Sequence, residues 1–136
     1  MRRVILVCGA PGAGKTTWAR DTGLLVYDRD DALWDAGGEA AFRAALADVG
    51  RDPHAQAAVI RCAATVSARQ QAAALVRATD IHVIDTPLTT CIQRIKERKR
   101  TTPPLRTQIA GAQSWWRDYE PDLEQPGLAP LTSREW

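Results

Sequence analysis

R-V-I-L-V-C-G-A-P-G-A-G-K-T-T, Arg3 to Thr17, decides how the rest of the chain is read. Val4 to Cys8 is a short, apolar, β-branched-rich run closed by glycine, the composition of a strand buried on both faces in a parallel sheet. Gly9 to Gly14 forms a glycine-rich turn. Lys15 to Asp21 is compatible with helix, and Gly23 stops it. From Gly9 to Thr16 the chain fits G-x-x-x-x-G-K-[ST] at every fixed position. The pattern has a mechanical reading. Glycines permit backbone angles that a Cβ forbids and let amides crowd round phosphate oxygens. A helix starting at the end of the loop aims its unbonded N–H groups at the same anion. Lys15 would reach the β- and γ-phosphates, and the Thr16 hydroxyl would hold a magnesium ion. Within this stretch the expected nucleotide-binding residues are Gly9, Pro11, Gly12, Ala13, Gly14, Lys15, Thr16 and Thr17, joined by Arg94 and Arg98 further along, with ATP and Mg²⁺ as cofactors and Thr16 as the metal ligand. The alternative, a chance glycine loop, does not account for its place between a strand and a helix.

Outward from this segment, Leu24 to Tyr27 is a second apolar run, followed by D-R-D-D, Asp28 to Asp31. Strand, turn, helix, strand opens an α/β fold. Ala32 to Val49 reads as helix interrupted at Gly37-Gly38, and Asp52-Pro53 marks a turn. Ala55 to Ala78 supports two readings. Its alanines favour helix, whereas Ala58 to Cys62 fits a strand, with Ser67 capping a helix through Val76. The strand is adopted, because a parallel sheet needs one here. Asp80 to Asp85 is the next strand. Leu88 to Lys99 is a basic helix with Cys91, Ile92 and Ile95 on its apolar stripe. After a break at Thr101 to Pro104, Leu105 to Tyr119 is a final helix carrying Ile109, Ala112, Trp115 and Trp116, assigned to the core. The tail from about 120 is proline-rich and reads as irregular. The expectation is one domain over 1–136, an α/β P-loop nucleotide-binding fold with a parallel sheet of four or five strands sandwiched by helices, and a basic helix at about 88–100.

The 136 residues suit one domain, and 45% apolar with 25% charged residues is the balance of an ordinary globular protein. A net charge of +2 is too small to name a partner. Its distribution says more: Arg94, Lys96, Arg98, Lys99, Arg100 and Arg106 cluster, opposed by Glu97 alone. Cys8, Cys62 and Cys91 form no C-x-x-C pair, so neither a disulfide framework nor a zinc site is expected. They read as reduced thiols packed as small hydrophobes in a cytoplasmic protein. No apolar run approaches the ~20 residues of a membrane span, so no membrane partner is expected.

Asp30 follows the second strand, and the carboxyl ends of strands line the crevice of open α/β sheets. A carboxylate there can orient an attacking hydroxyl and accept its proton. The other reading is a solvated turn in which Asp31 caps the next helix; both hold if Asp31 caps while Asp30 does chemistry. Arg94 and Arg98 lie four residues apart and share a helix face. Guanidinium groups folding over the phosphates would stabilise the transferring group. A solvated basic face, or a patch for nucleic-acid phosphates, fits the spacing equally well.

Together these residues resemble the kinase domain of the T-even phage polynucleotide 5′-kinase family, a group of small P-loop kinases. The resemblance rests on V-I-L-V-C-G-A-P-G-A-G-K-T-T-W-A-R at Val4 to Arg20 and on R-D-D at Arg29 to Asp31. It continues through V-I-D-T-P at Val83 to Pro87, the basic helix to Arg98, and W-R-D-Y at Trp116 to Tyr119. It spans most of the chain, with a short, weakly matching middle third. It implies that Lys15, Asp30 and Arg98 are the catalytic residues: Asp30 as general base on a polynucleotide 5′-hydroxyl, and Arg98, beside Arg94, as the lid arginine on the transferring phosphate. It implies a nucleic-acid 5′ end as partner and, for a phage-encoded chain, the host cytoplasm as location. Two positions depart from the family. Leu33 stands where the family has an arginine that grips the acceptor's phosphate. The strand before the Ser67 helix ends in Cys62, Ala63 and Ala64 rather than in an acid near the metal, with Asp85, on another strand, as the substitute. These departures keep three alternatives open: a kinase of a modified DNA base, a kinase of a small molecule, and a nucleotide-binding regulator without turnover.

Overall fold

The structure, a computed structural model, describes residues 1–122. In chain order it contains β1 (Arg3–Gly9), α1 (Lys15–Asp21), β2 (Leu25–Tyr27), a 3₁₀ turn (Ala32–Trp34), α2 (Gly38–Arg51), β3 (Gln56–Arg61), α3 (Val66–Val76), β4 (Asp80–Ile84), α4 (Leu88–Glu97) and α5 (Leu105–Asp118). The four strands form one sheet in the order β2-β3-β1-β4, every pairing parallel. β1 therefore lies inside the sheet, and six of its seven residues are buried. That explains its unbroken apolar sequence, since both faces are covered and alternation has no use.

Successive side chains of β1 feed opposite faces. Val4, Leu6 and Cys8 pack with Phe42, Leu46 and Val49 of α2 and Val76 of α3. Ile5 and Val7 pack with Ala58 and Ile60 of β3 and with Ala19 of α1. A third cluster joins Ala10 and Ala13 of the glycine-rich loop to Cys91 and Ile95 of α4 and to Ala112 and Trp115 of α5. The loop thus rests on a packed floor supplied by the last two helices. The Trp115 indole Nε1 donates to the Cys62 carbonyl at 2.7 Å, which ties α5 to the end of β3.

The alanine-rich segment holds the expected strand, because small side chains at Ala57 and Ala58 fit between layers that cover both faces. The helix after it is capped by Thr65, not Ser67. The Thr65 hydroxyl accepts from Ala68 N–H at 3.1 Å, and the chain turns early because Ala63 adopts a left-handed backbone, φ 42°. The Ala63 and Ala64 carbonyls accept from the buried Arg69 guanidinium at 3.0 and 2.9 Å, and the same group pairs with Asp122 at 3.1 Å. The helix expected over 32–49 is split. Asp31 caps a 3₁₀ turn by accepting from Leu33 N–H at 3.0 Å, and Gly38 at φ 65° restarts the chain as α2. The basic helix ends at Glu97, short of Lys99, whose φ of 54° cannot continue it. The expected irregular tail lies, beyond Asp122, outside the described residues. No helix among those described is long and apolar enough to cross a membrane.

Candidate functional site

The glycine-rich loop leaves β1 and turns into α1 with Gly12 at φ 82° and Gly14 at φ 96°. A Cβ on Gly12 would lie 2.5 Å from the Cys91 carbonyl oxygen, and one on Gly14 would lie 3.2 Å from Arg94 Nη1. Gly12 is required by backbone angle and by the close approach of α4, and Gly14 by backbone angle. Ala13 O accepts from Thr86 Oγ1 at 2.8 Å and from Arg94 Nη1 at 3.0 Å, so the segment after β4 and the basic helix both hold the loop. Lys15 Nζ donates to the Gly9 and Ala10 carbonyls at 2.7 and 3.1 Å and lies 3.7 Å from Cys62 Sγ.

Beyond the end of β2, Asp28 joins two parts of the site. Its Oδ2 accepts from the Thr16 hydroxyl at 3.0 Å, and its Oδ1 accepts from Asp30 N–H at 3.0 Å. Asp30 Oδ2 faces Arg100 Nη1 at 3.4 Å. Arg98 Nη2 donates to Gln108 Oε1 at 2.9 Å, while Gln108 Nε2 donates to the Arg100 and Pro103 carbonyls, both at 2.7 Å. Gln108 is 4% exposed, so a buried amide on α5 fixes the turn that carries Arg98 and Arg100. Partial burial, and then the neighbouring Arg100 charge, lower the Arg98 pKa below its ordinary value, against the pull of Asp30. A guanidinium so placed still carries its charge at neutral pH.

These groups border one cleft of about 730 Å³ at the carboxyl ends of the strands. Its lining contains Pro11, Gly12, Ala13, Gly14, Lys15, Thr16, Thr17, Asp30, Arg94 and Arg98. Of the expected site residues only Gly9 is absent, and its carbonyl anchors Lys15 instead. Arg94 and Arg98 reach the cleft differently from the helix-face expectation: Arg94 is on α4, whereas Arg98 is the residue that ends it. A second cleft of about 610 Å³ shares Lys15, Asp28, Asp30 and Cys62 with the first and runs toward α2 and α3.

Two expectations need correction. Cys62 is not a buried hydrophobe; it is exposed and faces Lys15 from the end of β3, because the chain leaves the sheet there. Cys8 and Cys91 are buried as expected. Burial pushes the Cys8 thiol up to about 12 and raises that of Cys91. Asp85 is exposed just past β4 and borders neither cleft, so it does not replace the missing strand-end acid. Asp28 is the acid beside Thr16. Sequence reading missed Asp28, Arg100 and Gln108. The D-x-D spacing of Asp28 and Asp30 was visible, but its link to Thr16 depends on β2 and α1 meeting in space. Compared with known proteins, the chain matches no family model and no curated protein.

Proposed function

We propose that this chain has a P-loop kinase fold and is an ATP- and Mg²⁺-dependent phosphotransferase that moves the γ-phosphate to a hydroxyl, with a polynucleotide 5′-hydroxyl as the leading acceptor. The observation that carries this reading is the convergence of Lys15, Thr16, Asp28, Asp30 and Arg98 on one cleft. Loop amides and Lys15 would hold the β- and γ-phosphates, the ammonium exchanging its carbonyl partners for phosphate oxygens. Asp30 would take the acceptor proton as the hydroxyl oxygen bonds to the γ-phosphorus and the bond to the ADP oxygen breaks. Arg94 and Arg98 would neutralise charge on the transferring group. Release of Asp30 from Arg100 would accompany acceptor binding.

Thr16 and Asp28 fit a magnesium site. Mg²⁺ takes oxygen ligands, keeps several waters, and is usually held by one or two carboxylates plus substrate phosphates. A hydroxyl and a carboxylate oxygen already 3.0 Å apart match that need. When bound, the ion offsets phosphate charge.

Three observations favour other readings. Leu33 is 74% exposed in the place of the family's phosphate-gripping arginine, and the 610 Å³ cleft is of small-molecule size, which favours a small-molecule acceptor. The Asp30–Arg100 pair favours a nucleotide-binding regulator. Purified protein with γ-labelled ATP and Mg²⁺ separates the three. The acceptor panel holds 5′-hydroxyl DNA and RNA, hydroxymethylated DNA, nucleosides and polyols. Label on an oligonucleotide 5′ end supports the leading acceptor. Label on a base or small molecule keeps the transferase and replaces the acceptor. ATP binding without transfer to any of them contradicts the enzyme.

A further inference from the structure

The run W-W-R-D-Y at Trp115 to Tyr119 borders neither cleft, yet its two indoles hold the ends of the strands on either side of β1. Trp115 Nε1 donates to the Cys62 carbonyl, just past β3, at 2.7 Å. Trp116 Nε1 donates to the Thr86 carbonyl, just past β4, at 3.1 Å. The rings hold one another in place. The two indoles meet edge to face with centres 5.1 Å apart, and Tyr119 stacks on Trp115 at 4.9 Å and meets Trp116 at 5.3 Å.

Thr86 passes this restraint to the glycine-rich loop. Its carbonyl accepts from Trp116 Nε1 and, at 3.4 Å, from the Cys91 thiol, while its hydroxyl donates to the Ala13 carbonyl at 2.8 Å. Arg94 Nη1 donates to the same Ala13 oxygen at 3.0 Å. Two donors from outside the loop therefore fix the direction of one loop carbonyl. The Ala13–Gly14 peptide is trans, and in a planar trans peptide the N–H points opposite to the C=O. Holding Ala13 O toward Thr86 and Arg94 turns the Gly14 N–H away from both. Gly14 itself lines the 730 Å³ cleft. A peptide that ends in glycine meets no Cβ to resist its turning over, and Ala13 has only a methyl group, so the orientation has to be imposed by residues outside the loop.

We propose, on the reading of the loop as a nucleotide phosphate site, that Thr86 and Trp116 are positioning residues: they orient the Ala13–Gly14 peptide so that the Gly14 N–H already faces a phosphate oxygen when the nucleotide arrives. Trp116 fixes the backbone of Thr86, the Thr86 hydroxyl fixes the Ala13 carbonyl, and the amide on the other side of that peptide becomes a preset donor. A donor held in place before binding spends no interaction energy on reorientation.

The test uses three variants of the full chain. Thr86→Val keeps the side-chain shape and removes the hydroxyl. Thr86→Ser returns the hydroxyl. Trp116→Phe keeps an aromatic ring and removes the indole N–H, and it carries the test if Thr86→Val does not fold. Each protein is titrated with Mg²⁺·ADP by calorimetry and through the amide NMR resonance of Gly14. In the wild type ADP should move the Gly14 amide proton downfield, as a new hydrogen bond does. Thr86→Val should weaken ADP about fivefold, the scale of one lost hydrogen bond with Arg94 still in place, and should shrink the Gly14 shift. Thr86→Ser should restore both, and Trp116→Phe should change both in the direction of Thr86→Val. Denaturant midpoints are measured on the same samples. Lower midpoints with wild-type ADP affinity and a wild-type Gly14 shift would overturn the proposal and leave a purely structural bracket, as would equal losses in Thr86→Val and Thr86→Ser. If ADP does not bind the wild type, the phosphotransferase reading fails instead. Peptide orientation is then read in the free protein, where Thr86→Val and not Thr86→Ser should move the Ala13 carbonyl and Gly14 amide resonances; resonances that stay in place would overturn the positioning role as well.

Discussion

The Thr16 hydroxyl donates to Asp28 Oδ2 at 3.0 Å, and the other oxygen of the same carboxylate accepts from Asp30 N–H at 3.0 Å. One side chain therefore links the residue expected to hold the metal to the residue expected to act as base. Asp28→Asn keeps the size of the group and removes its charge. The expected outcome is a roughly 10–100-fold higher Mg²⁺ requirement, the usual cost of losing a group that supports a metal site. A magnesium titration of label transfer measures it. An unchanged Mg²⁺ dependence would remove Asp28 from the metal site.

Gly12 tests the loop itself. A methyl group there meets the Cys91 carbonyl at 2.5 Å, and the backbone stands at φ 82°. Gly12→Ala should cost about 2 kcal/mol through strain and crowding, seen as a lower midpoint in denaturant. Gly23, also at positive φ but with nothing within 4 Å of an added Cβ, is the control for backbone strain without the clash. Gly23→Ala should cost less.

Gln108 fixes the turn that carries Arg98 and Arg100, and in the phosphotransferase reading it positions the lid arginines without touching nucleotide. Gln108→Leu strands the Arg100 and Pro103 carbonyls and frees Arg98. Stability should fall by about 1–3 kcal/mol. Transfer should fall further than ATP affinity, because the lid arginines lose their fixed place while the loop is untouched. Parallel calorimetric binding and turnover measurements distinguish this from general unfolding, which would lower both together.

The cysteines report on the site without an activity assay. Near pH 8 a thiol-alkylating reagent should modify Cys62 and spare Cys8 and Cys91. Mass spectrometry gives the sites, and Mg²⁺·ATP should slow the reaction at Cys62, which lies 3.7 Å from Lys15 Nζ. Cys8 also makes a pH prediction. Its folded pKa of about 12 is above that of an exposed thiol, so the folded state retains a proton that the unfolded chain releases. Stability is unaffected below the unfolded pKa and falls as pH rises from about 8.5 toward 12, by at most ~1.4 kcal/mol per pH unit. Cys8→Ala should flatten that slope in alkaline denaturation curves.

The strand, loop and first helix were legible because their signals are local: an apolar run, three spaced glycines and Lys15 lie within one short stretch. β3 was harder. Alanine favours helix by propensity, and only the need to fill a sheet covered on both faces selects the strand. The end of β3 was read as a missing acid because Cys62, Ala63 and Ala64 occupy the expected place. The acid is Asp28, twelve residues from Thr16 in sequence, brought there when α1 returns the chain to the sheet. Gln108 was illegible for a related reason. It joins α5 to the turn after α4, and an isolated glutamine carries no spacing signal. The split of the 32–49 helix was half visible: Gly37-Gly38 marked the break, while the 3₁₀ turn depends on Asp31 turning its side chain back to Leu33 N–H.

The most direct test of the phosphotransferase reading compares Asp30→Asn with Lys15→Ala in two assays, ATP binding by calorimetry and transfer of γ-label to whichever acceptor the wild type labels best. Asp30→Asn should retain ATP affinity and lose transfer by about 10²–10⁴-fold, the contribution of a positioned base. Lys15→Ala should lose both. Transfer that survives Asp30→Asn unchanged would contradict the mechanism. A wild type that binds ATP and labels no acceptor would contradict the function.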